Sequence, residues 1–183
     1  MKFTIILLLL LNPIFNIYSQ TYTLEKSELK WTGKAAFDSY ELSGTLKTSE
    51  GVLKISKNII TTLQIEVNMK SLDHENADLK KHLSGSDFFH IKKYKTAQFK
   101  LEQPAEIKNG VAVLKGILII KQTSKNVTIP IKIDLKSLSM SFNTKLNRVD
   151  YGITYNSPSV FEKLKENAIA DDFILTGIIT FKK

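Results

Sequence analysis

The sequence predicts an all-β protein, an antiparallel up-and-down β-barrel of about eight strands with one or two short helices. Apolar and polar residues alternate through most of the chain, as in strands that have one face in water. Turn sequences such as Asn109-Gly110 and Asn156-Ser157-Pro158 separate the alternating runs. Several runs are about 8–11 residues long, which favours a closed barrel over a sandwich of short strands.

Each alternating run gives a predicted strand one apolar face. In chain order, these faces carry Leu29, Trp31, Gly33, Ala35 and Phe37; Leu63, Ile65, Val67 and Met69; Ala97, Phe99 and Leu101; Val127, Ile129, Ile131, Ile133 and Leu135; Met140 and Phe142; and Phe173, Leu175, Gly177, Ile179 and Phe181.

Residues 111–120 are apolar on both faces. Val111, Val113, Ile117 and Ile119 share one face, and the intervening residues are apolar as well. Such a strand is expected to be covered on both sides, by the lumen and by a helix or loop. Small residues inside strands, such as Gly44 and Gly177, either mark bends of the sheet or keep the lumen open.

Two helical segments interrupt the strands. Asp73 is the predicted N-cap of a helix over Ala77–Leu83. The segment Ser159–Asn167 has helical spacing and is predicted to form a short lid or crossover. The Phe88–Phe89 pair that follows the first helix is expected to anchor the core or to gate a ligand.

The first 19 residues have the pattern of a secretory signal peptide, with a basic start, a short apolar stretch and a small residue at the end. Cleavage is expected after Ser19 or Gln20, which leaves residues 20–183 as one domain. The protein is therefore predicted to be exported, periplasmic or secreted. The chain has no cysteine, so we expect neither disulfides nor a lipid-modified cysteine.

The formal charge of +8 is spread over single lysines on the polar faces of the strands. This pattern argues against nucleic-acid binding and leaves open a peripheral contact with anionic membrane surfaces. A homodimer is also left open.

Few residues are placed for catalysis. His74, His82 and His90 are spaced too widely to share a metal directly, and no nucleophile motif is present. The Asp171–Asp172 pair is expected to serve a turn or cap. We therefore predict neither an enzyme nor a resident cofactor.

Arg148 is the only arginine in the chain. One interpretation is a bidentate ion pair with Asp150 that fixes a turn. The other is a position at the barrel mouth, facing the polar head of a ligand.

Four blocks in order resemble the YceI-like family of exported proteins with a lipocalin-like β-barrel. The blocks are WTGKAAFDSYELSG from Trp31, the Leu79–Phe99 segment with its Phe pair and Lys-Tyr, LKGILIIKQTSKNVTIP from Leu114, and LNRVDYGI from Leu146. Family members with a known ligand hold a polyisoprenoid or a similar long amphiphile.

The chain departs from the family pattern at four places. Gln122 replaces a glycine, Lys95 a proline and Tyr151 a phenylalanine. Where the family commonly has a histidine, residues 38–40 read Asp-Ser-Tyr, which changes the groups available near the barrel mouth.

The resemblance implies an exported soluble binding protein that encloses a polyisoprenoid, an isoprenoid quinone or a similar lipid. The alternative is a structural or interaction domain whose barrel is filled by side chains. The predicted ligand-binding residues of the lumen are Trp31, Phe37, Leu63, Ile65, Val67, Phe99, Val113, Ile117, Ile129, Ile131, Phe142 and Phe173, with Arg148 as the polar candidate at the mouth.

Overall fold

Nine β-strands and one α-helix form the part of the chain that the computed structural model describes, residues 19–162 and 167–183. Their bounds are β1 (Gln20–Lys34), β2 (Glu41–Ser56), β3 (Ile59–Asp73), α1 (Ala77–Ser84), β4 (Thr96–Leu101), β5 (Ala105–Glu106), β6 (Val111–Ile120), β7 (Thr123–Asp134), β8 (Ser139–Asn147) and β9 (Asp172–Lys182).

Two predicted segments fall wholly or partly outside this description. Residues 1–18 of the predicted signal peptide lie outside the described residues, and so do residues 163–166 of the predicted second helix. Within the described ranges, no helix is both long enough and apolar enough to span a membrane.

Eight strands close into an antiparallel barrel. Going round it, the order is β1-β2-β3-β4-β6-β7-β8-β9, and β9 pairs again with β1. The two-residue β5 adds to one end of β3. Neighbours in the barrel are neighbours along the chain, apart from this closing pair, so the predicted up-and-down lipocalin-like barrel is confirmed.

Two tight hairpins set the register at opposite ends of the barrel. Lys57 and Asn58 join β2 to β3, and Lys121 and Gln122 join β6 to β7, all with positive φ. Two central residues with positive φ match the right-handed twist of the flanking strands. The chain therefore accepts the left-handed conformation at four positions that are not glycine.

Helix α1 begins at Ala77, and its N-cap is not the predicted Asp73. Asn76 is the N-cap, and its Oδ1 accepts hydrogen bonds from the backbone N–H groups of Asp78 and Leu79, each at 3.0 Å. The prediction of Asp73 as N-cap is wrong because β3 continues through that residue. Asp73 instead forms an exposed ion pair with Lys80, which holds the pKa of its carboxyl below the usual range.

The interior holds two apolar clusters, one at each end of the barrel. Leu53, Ile60 and Phe181 belong to the cluster at the β5 end and are almost inaccessible to solvent. At the other end, Leu83 of α1 packs with Ile153 of the β8–β9 connection. The α1 end of the barrel is thus capped by side chains from loops, as well as from strands.

The face of β6 that points into the lumen is the opposite of the predicted one. Ala112, Leu114, Leu118 and Ile120 point inward and are buried, whereas Val113 is 49% exposed. Val111 and Val113 remain about half exposed although residues 103–108 lie beside them, and α1 packs against β3 at the barrel end instead.

Candidate functional site

A cavity of about 340 Å³ lies inside the barrel, between the two clusters. This volume lies at the lower end of the usual range for small-molecule pockets, roughly 300–1,000 Å³. Its walls are almost entirely hydrocarbon, from the inward positions of the barrel strands and from the loops at the α1 end. An environment of this kind accepts apolar chains and excludes unpaired charge.

Nine of the twelve predicted lumen residues contribute to the wall of this cavity. They are Trp31, Leu63, Ile65, Val67, Phe99, Ile129, Ile131, Phe142 and Phe173.

Phe37, Val113 and Ile117 do not line the cavity. Phe37 is 71% exposed because β1 ends at Lys34 and the alternation does not continue into the turn. Val113 and Ile117 lie on the outer face of β6. Because that strand is apolar on both sides, its sequence alone carries no signal for which face points inward.

Several lining residues were not predicted from the sequence. On β6 the lining residues are Leu114, Leu118 and Ile120, which lie on the face opposite to the predicted one. Leu79 and Leu83 reach the cavity from α1. The signal for the helix residues was their four-residue spacing, which identifies a buried helix face but not what it covers.

Three aromatic rings of the wall lie against glycines of neighbouring strands, which keeps the rings close to the sheet. The pairs are Trp31 with Gly44, Phe99 with Gly116 and Phe142 with Gly177. A Cβ at these glycines would approach the rings to 2.5, 2.8 and 2.8 Å.

Two of these glycines also lie against the backbone, since a Cβ at Gly44 or Gly116 would stand 2.1 Å from the carbonyl oxygen of Asp73 or 2.3 Å from that of Lys100. A β-carbon would meet each ring closer than van der Waals contact, so only glycine leaves room for it beside the strand.

The Phe pair belongs to the cap at the α1 end. Phe88 is 5% exposed, and its ring packs with those of His82 and Tyr155 at centroid distances of 5.0 and 5.4 Å. Phe88 and Phe89 also line the cavity. The predicted anchor is thus part of the cavity wall.

Arg148 is buried and bonded to the chain itself. Its Nε donates to the carbonyl oxygen of Ala170 at 3.0 Å, Nη1 to that of Ile153 at 2.8 Å and Nη2 to that of Ile169 at 2.8 Å. The carboxylate of Asp171 lies 3.5 Å from Nη2. Burial lowers the pKa of Arg148, and the charge of Asp171 opposes this.

The predicted ion pair with Asp150 is therefore wrong, because Asp150 lies near Lys125 instead, at 3.8 Å. Arg148 touches the edge of the cavity but directs its hydrogen bonds to the β8–β9 connection. Its contacts fix the position of this connection over the barrel end.

The carboxyl of Asp171 is held in its charged form. Burial would raise its pKa, but the neighbouring side chains of Ser157 and Ser159 together with the charge of Arg148 lower the pKa below the usual range. Ser157 is completely buried. Arg148, Asp171 and Ser157 form a polar cluster, which we call the clasp, and it joins the two ends of the β8–β9 connection.

The cavity approaches the surface beside the β1–β2 turn. Ala36 donates its N–H to the carbonyl oxygen of Ala168, and Ala170 donates to that of Lys34, at 2.9 and 3.0 Å. Tyr40, which lines the cavity, is 61% exposed. We call residues 35–40 together with 167–170 the mouth segments.

In the part of the chain that the structure describes, the histidines and acidic residues are not grouped for metal binding. Within residues 19–162 and 167–183, histidine, aspartate and glutamate nowhere gather in threes. His74 packs on Trp31 and His90 on Tyr94, each with ring centroids 5.8 Å apart.

Three solved structures share the barrel. BcnA of Burkholderia cenocepacia superposes with a TM-score of 0.69 at 18% identity, covering 84% of this chain and 95% of that one. A polyisoprenoid binding domain from Saccharophagus degradans gives 0.61 at 11% identity, covering 88% and 97%. The YceI protein of Campylobacter jejuni gives 0.55 at 20% identity, covering 100% and 92%. At these identities the similarity establishes the fold.

Curated relatives match over a shorter stretch. A UPF0312 protein of Vibrio cholerae is 32% identical over 69 residues, which is 38% of this chain and 36% of the relative. The chain thus aligns with about a third of the length of the curated relatives it matches. The model of the YceI-like domain, by contrast, matches residues 21–181. Because that match covers almost the whole of the described barrel, the chain belongs to the YceI-like family.

Proposed function

We propose that this protein is an exported binding protein that encloses the apolar chain of a long amphiphile, such as a polyisoprenoid or isoprenoid quinone, in its barrel. The observation that carries the proposal is the hydrocarbon-walled cavity of about 340 Å³. Each methylene group buried there contributes about 0.8 kcal/mol, so a long chain needs no catalytic or charged group to bind tightly.

Two further observations support this function. The glycines beside Trp31, Phe99 and Phe142 let these three rings lie close to the strands that form the cavity wall. A structure with the same fold is described as a polyisoprenoid binding domain. The side-chain-filled structural domain remains the alternative, and it predicts a protein without ligand.

Extraction of the purified protein with organic solvent, followed by mass spectrometry, tests the proposal. We expect one lipid in stoichiometric amount. The variant Ala97→Phe places a ring in the cavity wall and is expected to lose most of that lipid. The matched control Val113→Phe adds the same ring on the outer face of β6 and should retain it.

Wild-type protein that repeatedly yields no lipid would contradict the proposal, as would equal lipid in the Ala97→Phe variant. Both variants should first be shown to fold by their circular dichroism spectra and unfolding transitions.

Export has its own test. Fractionation of producing cells and N-terminal sequencing of the protein are expected to give an exported form beginning at Gln20 or Thr21. An intact Met1 terminus in the cytoplasmic fraction would contradict export.

We further propose that the protein contacts a membrane surface when it takes up its amphiphile. Phe37 and Tyr40 expose aromatic rings on the mouth segments, where an amphiphile would enter. Aromatic side chains at this position suit the interface between water and lipid.

A further inference from the structure

The barrel cavity is closed at the β5 end, away from the mouth segments. On three strands, one inward residue lines the cavity and the next buried residue toward the β5 end does not. These pairs are Leu63 and Ile60 on β3, Ile131 and Ile133 on β7, and Ile179 and Phe181 on β9. The second residue of each pair is at most 5% exposed and belongs to the cluster at the β5 end. The cavity therefore ends at a similar level on strands around the barrel.

The ring of Phe181 fills the lumen behind this level. Phe181 is 2% exposed, and its strand β9 is separated from β2 by β1. A Cβ on Gly51 of β2 would nevertheless stand 3.4 Å from the Phe181 ring and 3.2 Å from the side chain of Ile65. The ring thus reaches across the inner face of β1. An apolar chain that enters from the mouth segments would stop before it.

Met140 of β8 lies at the closed end of the cavity. It lines the cavity and is 2% exposed. In the sheet it pairs with Ile133 of β7 on one side and with Ile179 of β9 on the other. Ile179 lines the cavity and Ile133 does not, so Met140 stands at the boundary between the open and the filled part of the lumen. The end of an enclosed chain would therefore contact Met140.

The dimensions of the cavity suit one chain of limited length. Along β9 the lining residues extend from Asp172 to Ile179, roughly 20 Å of strand. A volume of about 340 Å³ spread over this length leaves room for a single chain. An engineered apolar cavity of about 150 Å³ in another protein holds benzene, so each buried carbon needs about 25 Å³. By this measure the cavity takes about 14 carbons, close to three isoprene units.

We propose that the barrel encloses about 14 carbons of a single apolar chain, and that Met140 sets this limit. The inference rests on the proposed function and narrows its ligand class by chain length. A chain of this length fills the cavity and leaves its polar head at the mouth segments. Further units of a longer polyisoprenoid remain outside the cavity and add little to the affinity.

Straight-chain primary alcohols from decanol to octadecanol, in steps of two carbons, test the limit. The protein, stripped of lipid, is titrated with each alcohol from a cyclodextrin complex. Binding is followed by the fluorescence of Trp31, which is the only tryptophan and lines the cavity. Each step should raise the affinity roughly tenfold up to about 14 carbons, because every added methylene is buried, and less than about threefold beyond that length.

Two variants on β8 assign the limit to a residue. Met140→Ala should move the chain length at which the gains stop from about 14 to about 16 carbons, since it removes three side-chain atoms at the closed end. The matched control is Leu146→Ala, because Leu146 is also buried and lines the cavity, but at the α1 end. It should weaken the binding of all the alcohols and leave the limit where it is.

Circular dichroism should first show that both variants fold, and Met140→Val, which removes less volume, replaces Met140→Ala if that variant does not. Affinity that keeps rising equally up to octadecanol in the wild-type protein would overturn the limit and leave the proposed function standing. A limit that does not move in the folded Met140 variant, or that moves equally in Leu146→Ala, would overturn the role of Met140. If no alcohol binds to the wild-type protein, the inference and the proposed function both fail.

Discussion

Phe99 on β4 covers Gly116 on β6, and the two strands are adjacent in the barrel. A Cβ on Gly116 would stand 2.8 Å from the Phe99 ring and 2.3 Å from the carbonyl oxygen of Lys100. The backbone of Lys100 cannot move away without disturbing the pairing of β4 with β6. Position 116 therefore accepts only glycine, because a Cβ there would clash with both the Phe99 ring and the Lys100 carbonyl oxygen.

Gly116→Ala should destabilise the protein by about 1–3 kcal/mol, the usual cost of overpacking a tight interior. The matched control is Gly33→Ala on β1, where an added Cβ would meet nothing within 4 Å. We expect the control to change the free energy of unfolding by less than about 0.5 kcal/mol. Urea unfolding of both variants makes the comparison, and equal stabilities would refute the steric account.

Arg148→Lys should destabilise the protein by about 2–4 kcal/mol, because a lysine cannot reach the three carbonyl oxygens in the same geometry. Hydrogen exchange at the amides of Ile153 and Ile169 should accelerate. The control Lys145→Ala removes an exposed ion pair with Asp172 and should cost less than about 1 kcal/mol. An unchanged exchange rate at Ile153 and Ile169 would argue against the clasp.

Gln122→Gly should stabilise the barrel by about 0.5–1 kcal/mol. Gln122 has a φ of 62° in the β6–β7 hairpin, a conformation that glycine adopts without steric cost. The gain is limited because glycine also has a larger entropy in the unfolded chain. Gln122→Ala retains the Cβ and serves as the control. Thermal unfolding in which the glycine variant melts no higher than the alanine variant would contradict the prediction.

Alkaline pH should weaken the fold through Tyr151. Burial, with a smaller contribution from Asp150, raises the pKa of Tyr151 from 10.0 to about 12. Between these two values the unfolded chain releases a proton that the folded protein retains, so stability falls as pH rises through this window. In Tyr151→Phe this part of the pH dependence should be absent. Unfolding free energies across the window provide the measurement, and identical slopes in the two proteins would exclude Tyr151 as the source.

Replacing Phe37 and Tyr40 together by serine should lower binding to vesicles that contain anionic lipid, by several-fold, because both exposed rings lie on the mouth segments. Co-sedimentation with vesicles measures the change. Val111→Ser with Val113→Ser removes exposed apolar side chains from the barrel wall and should leave vesicle binding unchanged. A loss of similar size in the control would show that the mouth segments have no special role in binding to the membrane surface.

The inward faces of β3 and β7 were predictable from the sequence because polar residues mark their outer faces. On β3, Leu63, Ile65 and Val67 all line the cavity as predicted. The β6 faces were not predictable in this way, since Val113 and Leu114 are both apolar and only the pairing with β4 and β7 decides which points inward.

The role of Arg148 was beyond the sequence for a different reason. Its acceptors are backbone carbonyls, and two of them belong to Ile169 and Ala170, more than twenty positions further along the chain. A carbonyl oxygen is present at every residue, so no residue type signals such a partner. In the sequence, Asp150 was the more recognisable ion-pair partner because it lies two positions after Arg148, but it is near Lys125 instead.

The β1–β9 pairing has a consequence for assembly. It joins Thr23 to Lys182, so the ring is completed only when the two ends of the barrel sequence meet. Until then β1 and β8 each present a row of unpaired backbone groups, and such edges recruit strands from other chains. Contacts between distant parts of a sequence also form slowly. A chain whose β9 has not yet docked is therefore exposed to aggregation through these two edges, and the closed interior exists only once β9 is in place.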